Sequence, residues 1–125
     1  MVENEITKII VDIFIKVHTQ FGPGLLESVY EEAICYELEK RGLKYKRQQG
    51  IDVMYDHIKM NLGFRADIIV ENKVIVEIKS IEMLAPVHHK ILLTYLKLTN
   101  IKVGLLVNFN VNLVKEGIVR IVNNL

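Results

Sequence analysis

The chain has 125 residues, with 16 Lys and Arg against 15 Asp and Glu, a formal net charge of +1, and half its residues hydrophobic. That length suffices for one hydrophobic core without disulfide or metal staples, and the composition is that of an ordinary globular protein. A near-neutral balance argues against a protein that coats polyanions generally, while leaving room for a local basic patch.

Cys35 is the one cysteine, so no internal disulfide can form and a reducing compartment fits. Set among Ala33, Ile34 and Tyr36, it reads as a small core residue. The start, Met-Val-Glu-Asn-Glu, carries no cationic leader, and the apolar runs are short and broken by charges. The expectation is a cytoplasmic protein with no membrane partner. No repeat, low-complexity tract or linker divides the chain, which is expected to be a single domain over residues 1–125.

In chain order, Ile6, Ile9, Ile10, Ile13 and Val17 recur at helical spacing and predict a first helix over 4–19. Gly22-Pro23-Gly24 marks a hinge. A second helix is predicted from about Leu25 to Arg41, with Leu25, Leu26, Val29, Tyr30, Ala33 and Tyr36 as its buried stripe and Gly42 as its stop. Glu27 falls just outside that stripe, next to Tyr30 and Ile34. Strands are predicted at 44–49 and 51–55, divided by Gly50, and a polar turn at Asp56-His57 leads through 58–62 into a central hairpin. Pro86 then opens a third helix over 87–99, followed by strands at 101–109 and 117–122. This is an α/β chain with a mixed β-sheet flanked by helices, in the order α-α-β-β-β-β-α-β-β.

The central hairpin, 64–70 and 74–79, carries the chemistry. Alternation points Phe64, Ala66, Ile68 and Val70 one way and Arg65, Asp67 and Ile69 the other, while Ile75, Glu77 and Lys79 share a face of the second strand. A two-residue turn at Asn72-Lys73 would put the two apolar faces on opposite sides of the sheet. A three-residue connection, Glu71-Asn72-Lys73, sets Val70 against Val74, Ile69 against Ile75 and Asp67 across from Glu77, so the patterns agree. Opposed carboxylates call for a compensating cation, and hard oxygen donors suit Mg²⁺ or Mn²⁺. Lys79, on the same face, offers an ammonium to orient a water or offset charge on a phosphoryl oxygen. The same residues also fit an ordinary salt bridge with Lys79 or Arg65 on a solvated face, and spacing does not separate the two.

Gly24-Leu-Leu-Glu27-Ser-Val-Tyr30, the Asp67 and Glu77-Ile-Lys79 hairpin, Leu92-Leu-Thr-Tyr95-Leu-Lys-Leu and Gly104-Leu-Leu-Val-Asn-Phe109 together resemble the family named after its GxxExxY motif, within the PD-(D/E)XK nuclease-like superfamily. The resemblance runs from about His18 to Phe109. It implies a restriction-endonuclease-like core in which Asp67 and Glu77 bind metal and Lys79 assists water attack on a phosphodiester. It also implies that Glu27 approaches the same metal, where sequence alone reads Glu27 as an acid favoured by the helix macrodipole. Tyr30 reads as packing. The wider superfamily often carries a Gln four residues before the third-helix Tyr, and Ile91 stands there instead. His88, on the face of Ile91 and Tyr95, is either a partial substitute touching a phosphate or a metal-bound water, or a half-buried histidine at a helix start.

Lys44, Lys46 and Arg47, interleaved with Tyr45, form the densest basic stretch. They suit phosphate contact with Tyr45 stacking on a base, and equally suit the guarding of an edge strand. The expected nucleic-acid contacts are thus Lys44, Tyr45, Lys46, Arg47, His88 and Tyr95. The expected function is a Mg²⁺-dependent nuclease, with DNA as the partner. The alternative is a weak or inactive nuclease-fold module that binds nucleic acid or a protein. A free strand edge and an apolar C-terminal segment offer routes to a homodimer.

Overall fold

A computed structural model describes residues 1–60 and 63–125. Two helices come first, α1 (Glu3–Phe21) and α2 (Glu27–Lys40), then β1 (Tyr45–Gly50) and a short pair, β2 (Val53–Tyr55) and β3 (Ile58–Met60). The central hairpin is β4 (Arg65–Val70) and β5 (Val74–Lys79). After it come α3 (Pro86–Thr99), β6 (Val103–Asn108), a 3₁₀ turn at Val114–Gly117 and β7 (Ile118–Val122). The main sheet has five strands in the order β1-β4-β5-β6-β7. Its one parallel pair, β5 with β6, is the pair joined through α3, as a parallel connection requires.

Helices cover both faces. Ile6, Ile10, Ile13, Phe14 and Val17 of α1, with Tyr30, Ile34 and Leu38 of α2, pack on Ile68, Val70, Val74, Val76 and Ile78. On the other face Leu92, Tyr95 and Leu96 of α3 pack on Ala66, Ile69, Ile75 and Leu106. Gly104 makes this approach possible, because a Cβ there would lie 2.9 Å from the Leu92 side chain. β5 has a strand on each side and helices on both faces, so its apolar run is buried without interruption up to Ile78.

The expected α/β sandwich with a mixed sheet is the observed one. Five strands rather than four precede α3, because 58–60 pairs with 53–55 as a separate two-stranded sheet; Leu62, expected in the lead to the hairpin, lies outside the described residues. The larger correction concerns α2. Leu25 and Leu26 precede the helix, and Leu26, Val29 and Tyr36 are exposed, Tyr36 at 64%. The buried stripe is Tyr30, Ile34 and Leu38, flanked by Glu31 and Cys35. Both stripes are apolar at helical spacing and share Tyr30, so the spacing alone does not rank them. Glu27 lies one turn before Tyr30 and Glu31 and so shares their side of α2, while itself exposed at the helix start. His18 is buried with its Nε2 2.8 Å from the Val111 carbonyl.

Candidate metal and nuclease site

The hairpin register is the one the hydrophobic pattern selects. Val70 pairs with Val74, Ile69 with Ile75 and Ile68 with Val76, around a turn in which Glu71 and Asn72 take positive φ. Pairing stops there. At the next position the carboxylates enter the ladder: the Asp67 backbone N–H donates to Glu77 Oε1 at 3.0 Å, and the Ile78 N–H donates to Asp67 Oδ2 at 2.7 Å. Two acids at the open end of two strands therefore take the place of backbone acceptors.

The alternation of β4 also changes at Asp67. Ile68 and Val70 pack under α1 and α2 as one face, yet Ala66 joins the cluster under α3, and Phe64 sets its ring edge-on to Tyr95 at 6.0 Å. The expected common face of Phe64, Ala66, Ile68 and Val70 is thus split. The neighbouring strand is irregular at the same place: β1 pairs in register at Arg47–Ile68 and Gln49–Ala66 but not at Gln48, whose φ is +48°.

Glu77 is 7% exposed, so its acid does not sit on a solvated face. Burial, then the neighbouring Asp67 carboxylate, push its carboxyl up to about 8. Asp67 is raised as well, chiefly by burial and partly by the charge of Glu31, against the Ile78 and Gln48 hydrogen bonds that favour its ionised form. Lys79 lies close enough to favour both anions. A pair in which both members resist ionisation is poised for a bound cation.

α2 brings two further acids to this end of the sheet, one beside each of the pair. Glu27 adds its charge to that of Glu77, and its Oε2 lies 3.4 Å from the Ser80 N–H, immediately after Lys79. The Ser80 hydroxyl in turn donates to the Leu25 carbonyl at 2.6 Å. Glu27 is placed by Tyr30, whose hydroxyl donates to the Gly22 carbonyl at 2.6 Å and accepts from the Leu25 N–H at 3.1 Å. Its ring stacks on Phe109 at 4.3 Å, so the packing expected of Tyr30 is also what shapes the Gly22–Leu25 turn, where Gly24 has φ +90°. At the far end of β6, Asn108 holds the loop after Lys79 through both sides of its amide, accepting from the Ile81 N–H and donating to its carbonyl.

The expected nucleic-acid contacts fall in different settings. Tyr95 is buried beside the acids, whose charges, after burial, raise its phenol. His88 accepts the Ala85 N–H on Nδ1 at 2.9 Å, which places it as a cap at the start of α3. Lys44, just before β1, and Lys46 on it are exposed, and β1 is an edge strand. Arg47 is engaged by Glu31 at 2.9 Å and Glu32 at 2.8 Å, and Tyr45 packs against the core and bonds Glu39 at 3.2 Å. Arg47 is thus already paired with two acids and the Tyr45 hydroxyl with a third.

Two residues absent from the expected site belong to its surroundings, Glu31 and Gln48. The Gln48 side-chain amide donates to Glu31 at 2.7 Å and to Asp67 at 3.3 Å. The one hint of Glu31 in the sequence is its position four residues after Glu27.

Among the described residues no three His, Cys, Asp or Glu side chains form a ready cage for a metal ion. The donors present are two adjacent carboxylates, a set that suits an ion that keeps most of its waters. The described helices include none long and apolar enough to cross a membrane. No curated protein and no solved structure matches the chain. A family model for the PD-(D/E)XK nuclease superfamily matches residues 4–121, from the first turn of α1 into β7. The splayed acids of the β4–β5 hairpin therefore lie in a chain that belongs to the PD-(D/E)XK nuclease superfamily.

Proposed function

We propose that this chain is a single nuclease domain over residues 1–125, which hydrolyses phosphodiester bonds in DNA with Mg²⁺ or Mn²⁺. Membership in a nuclease superfamily supports the reaction class. The observation that carries the reading is the buried Asp67–Glu77 pair, with its raised carboxyls, beside the ammonium of Lys79. In this reading Asp67 and Glu77 would hold the ion, with Glu27 as an additional or outer partner. When bound, such an ion polarises the scissile phosphate and makes a water more acidic. Lys79 orients that water and offsets charge growing on the phosphoryl oxygens. Tyr95 and Phe64 wall one side of the site with their rings, and the exposed Lys44 and Lys46 meet phosphates further along the strand.

Calorimetric titration with Mn²⁺, alongside cleavage of a DNA substrate in Mg²⁺, tests the proposal. Wild type is expected to bind Mn²⁺ and cleave, and Asp67→Asn to lose both while keeping its melting temperature. Equal binding and cleavage by the two proteins would remove Asp67 from the site. A second reading, a binding module without turnover, is favoured by Ile91 in place of an amide on α3 and by the exposed apolar residues Leu26, Val29 and Tyr36 of α2. Metal-independent binding with no cleavage by wild type would select it.

A further inference from the structure

We infer that Gln48 is a positioning residue for Asp67, an amide bridge that fixes one carboxylate oxygen of the hairpin from the edge strand. The inference rests on the metal reading above and extends it to a residue outside the hairpin and α2.

Gln48 sits where β1 crosses Asp67 and is the one position between Tyr45 and Gly50 that drops out of the paired register. Its φ of +48° is a conformation that residues with a side chain rarely adopt, and it occurs beside the candidate site. The side chain spans Glu31 at 2.7 Å and Asp67 Oδ1 at 3.3 Å. Both partners are carboxylates, so only the NH₂ end of the amide can face them, and its two hydrogens serve one acid each. The anchor is firm: Glu31 is buried and holds the Arg47 guanidinium through Nε at 3.3 Å and Nη2 at 2.9 Å. A line of contacts thus runs from Arg47 through Glu31 and Gln48 to Asp67, whose other oxygen is fixed by the Ile78 N–H.

The bridge does two things. It orients the Asp67 carboxylate, as outer partners do for metal-ligating acids. It also places two N–H dipoles between acids that would otherwise face each other, since the charge of Glu31 opposes ionisation of Asp67. A neutral amide suits this role better than an Arg or Lys, whose charge would compete with a cation.

The test uses the full chain. Gln48→Gly removes the amide while easing the positive φ, so the fold is retained or strengthened; Gln48→Glu keeps the shape and replaces the donors by a repelling carboxylate. Mn²⁺ affinity is expected to fall about tenfold or more in both, with the melting temperature of Gln48→Gly at or above that of wild type. A metal-free readout accompanies this: the Gln48 side-chain NH₂ signals in an ¹⁵N-correlated NMR spectrum are expected to move in both Asp67→Asn and Glu31→Gln. Wild type that binds Mn²⁺ while Gln48→Gly binds it equally well overturns the positioning role alone, as do Gln48 signals indifferent to both partner substitutions. Wild type that fails to bind Mn²⁺ overturns the metal reading and this role with it.

Discussion

Lys79 ends β5 two residues after Glu77 and makes no ion pair within 4 Å among the described residues, so its charge is available to the two acids and to an incoming phosphate. A lysine that only balanced the acids would make the site bind a metal less tightly than it otherwise would; a lysine that serves the reaction would matter after binding. Lys79→Ala therefore separates the two roles. Cleavage in Mg²⁺ is expected to fall by roughly 10²–10³-fold, the scale of losing one preorganised electrostatic group, while Mn²⁺ affinity stays the same or tightens because a nearby positive charge is gone. Unchanged cleavage rates at saturating Mg²⁺ would confine Lys79 to charge balance. The nearness of Asp67, Glu77 and Lys79 was legible because one hairpin carries all three, but the period of two did not by itself tell a metal site from a salt bridge, and it breaks at Asp67. Glu31 and Gln48 were not legible in that way: they reach Asp67 from a helix and an edge strand, through contacts that no local period encodes.

At the scale of elements, α2 and the turn before it act as one part. The Tyr30 hydroxyl ties Gly22 to Leu25, Ser80 ties Leu25 to the end of β5, and Glu27 follows two residues later. Tyr30→Phe leaves the Phe109 stack in place and removes both hydroxyl bonds from a buried ring. A loss of about 1–2 kcal/mol in urea denaturation is expected, from the Leu25 N–H and Gly22 carbonyl left to find other partners. Cleavage is expected to fall with it, since Glu27 loses its fixed turn; a full stability loss with unaltered cleavage would show that Glu27 placement is not needed. The sequence made this helix visible but not its orientation. Val29, Ala33 and Tyr36 and the row Tyr30, Ile34 and Leu38 are two apolar rows on one helix, and the 100° count ranks them almost equally. Only the sheet decides, by accepting the row that carries Tyr30 onto Phe109. The β4–β5 register was legible because both strands alternate and only one turn length reconciles them. The split of β4 at Asp67 was not, since it coincides with an irregularity at Gln48 on the neighbouring strand that no local pattern announces.

For the molecule as a whole, the site costs stability in a pH window that can be named. The Glu77 carboxyl rises from 4.5 to about 8 on folding, with Asp67 shifted the same way. Between those pH values the folded chain retains a proton that the unfolded chain has released, so stability falls as pH rises, by up to about 1.4 kcal/mol per pH unit. Other shifted groups act elsewhere. Glu37 is lowered, so its contribution is gained as pH rises toward its ordinary value of 4.5, below this window. Cys35, raised from 9.0 to about 12 by burial, matters only above it, as do the raised phenols of Tyr45 and Tyr95. With metal chelated, urea denaturation of wild type is therefore expected to show stability declining from pH 5 to pH 8, and Glu77→Gln, which carries no charge at any pH, to lose most of that slope and to exceed wild type at pH 8. If, as proposed, Mg²⁺ binds the ionised pair of the folded state, it should raise the wild-type melting temperature more at pH 8 than at pH 6, and should leave Glu77→Gln nearly unmoved. A wild-type profile that is flat or rising across this window would mean that Glu77 is ionised and already compensated within the fold, and that the pair has no unmet demand for a cation.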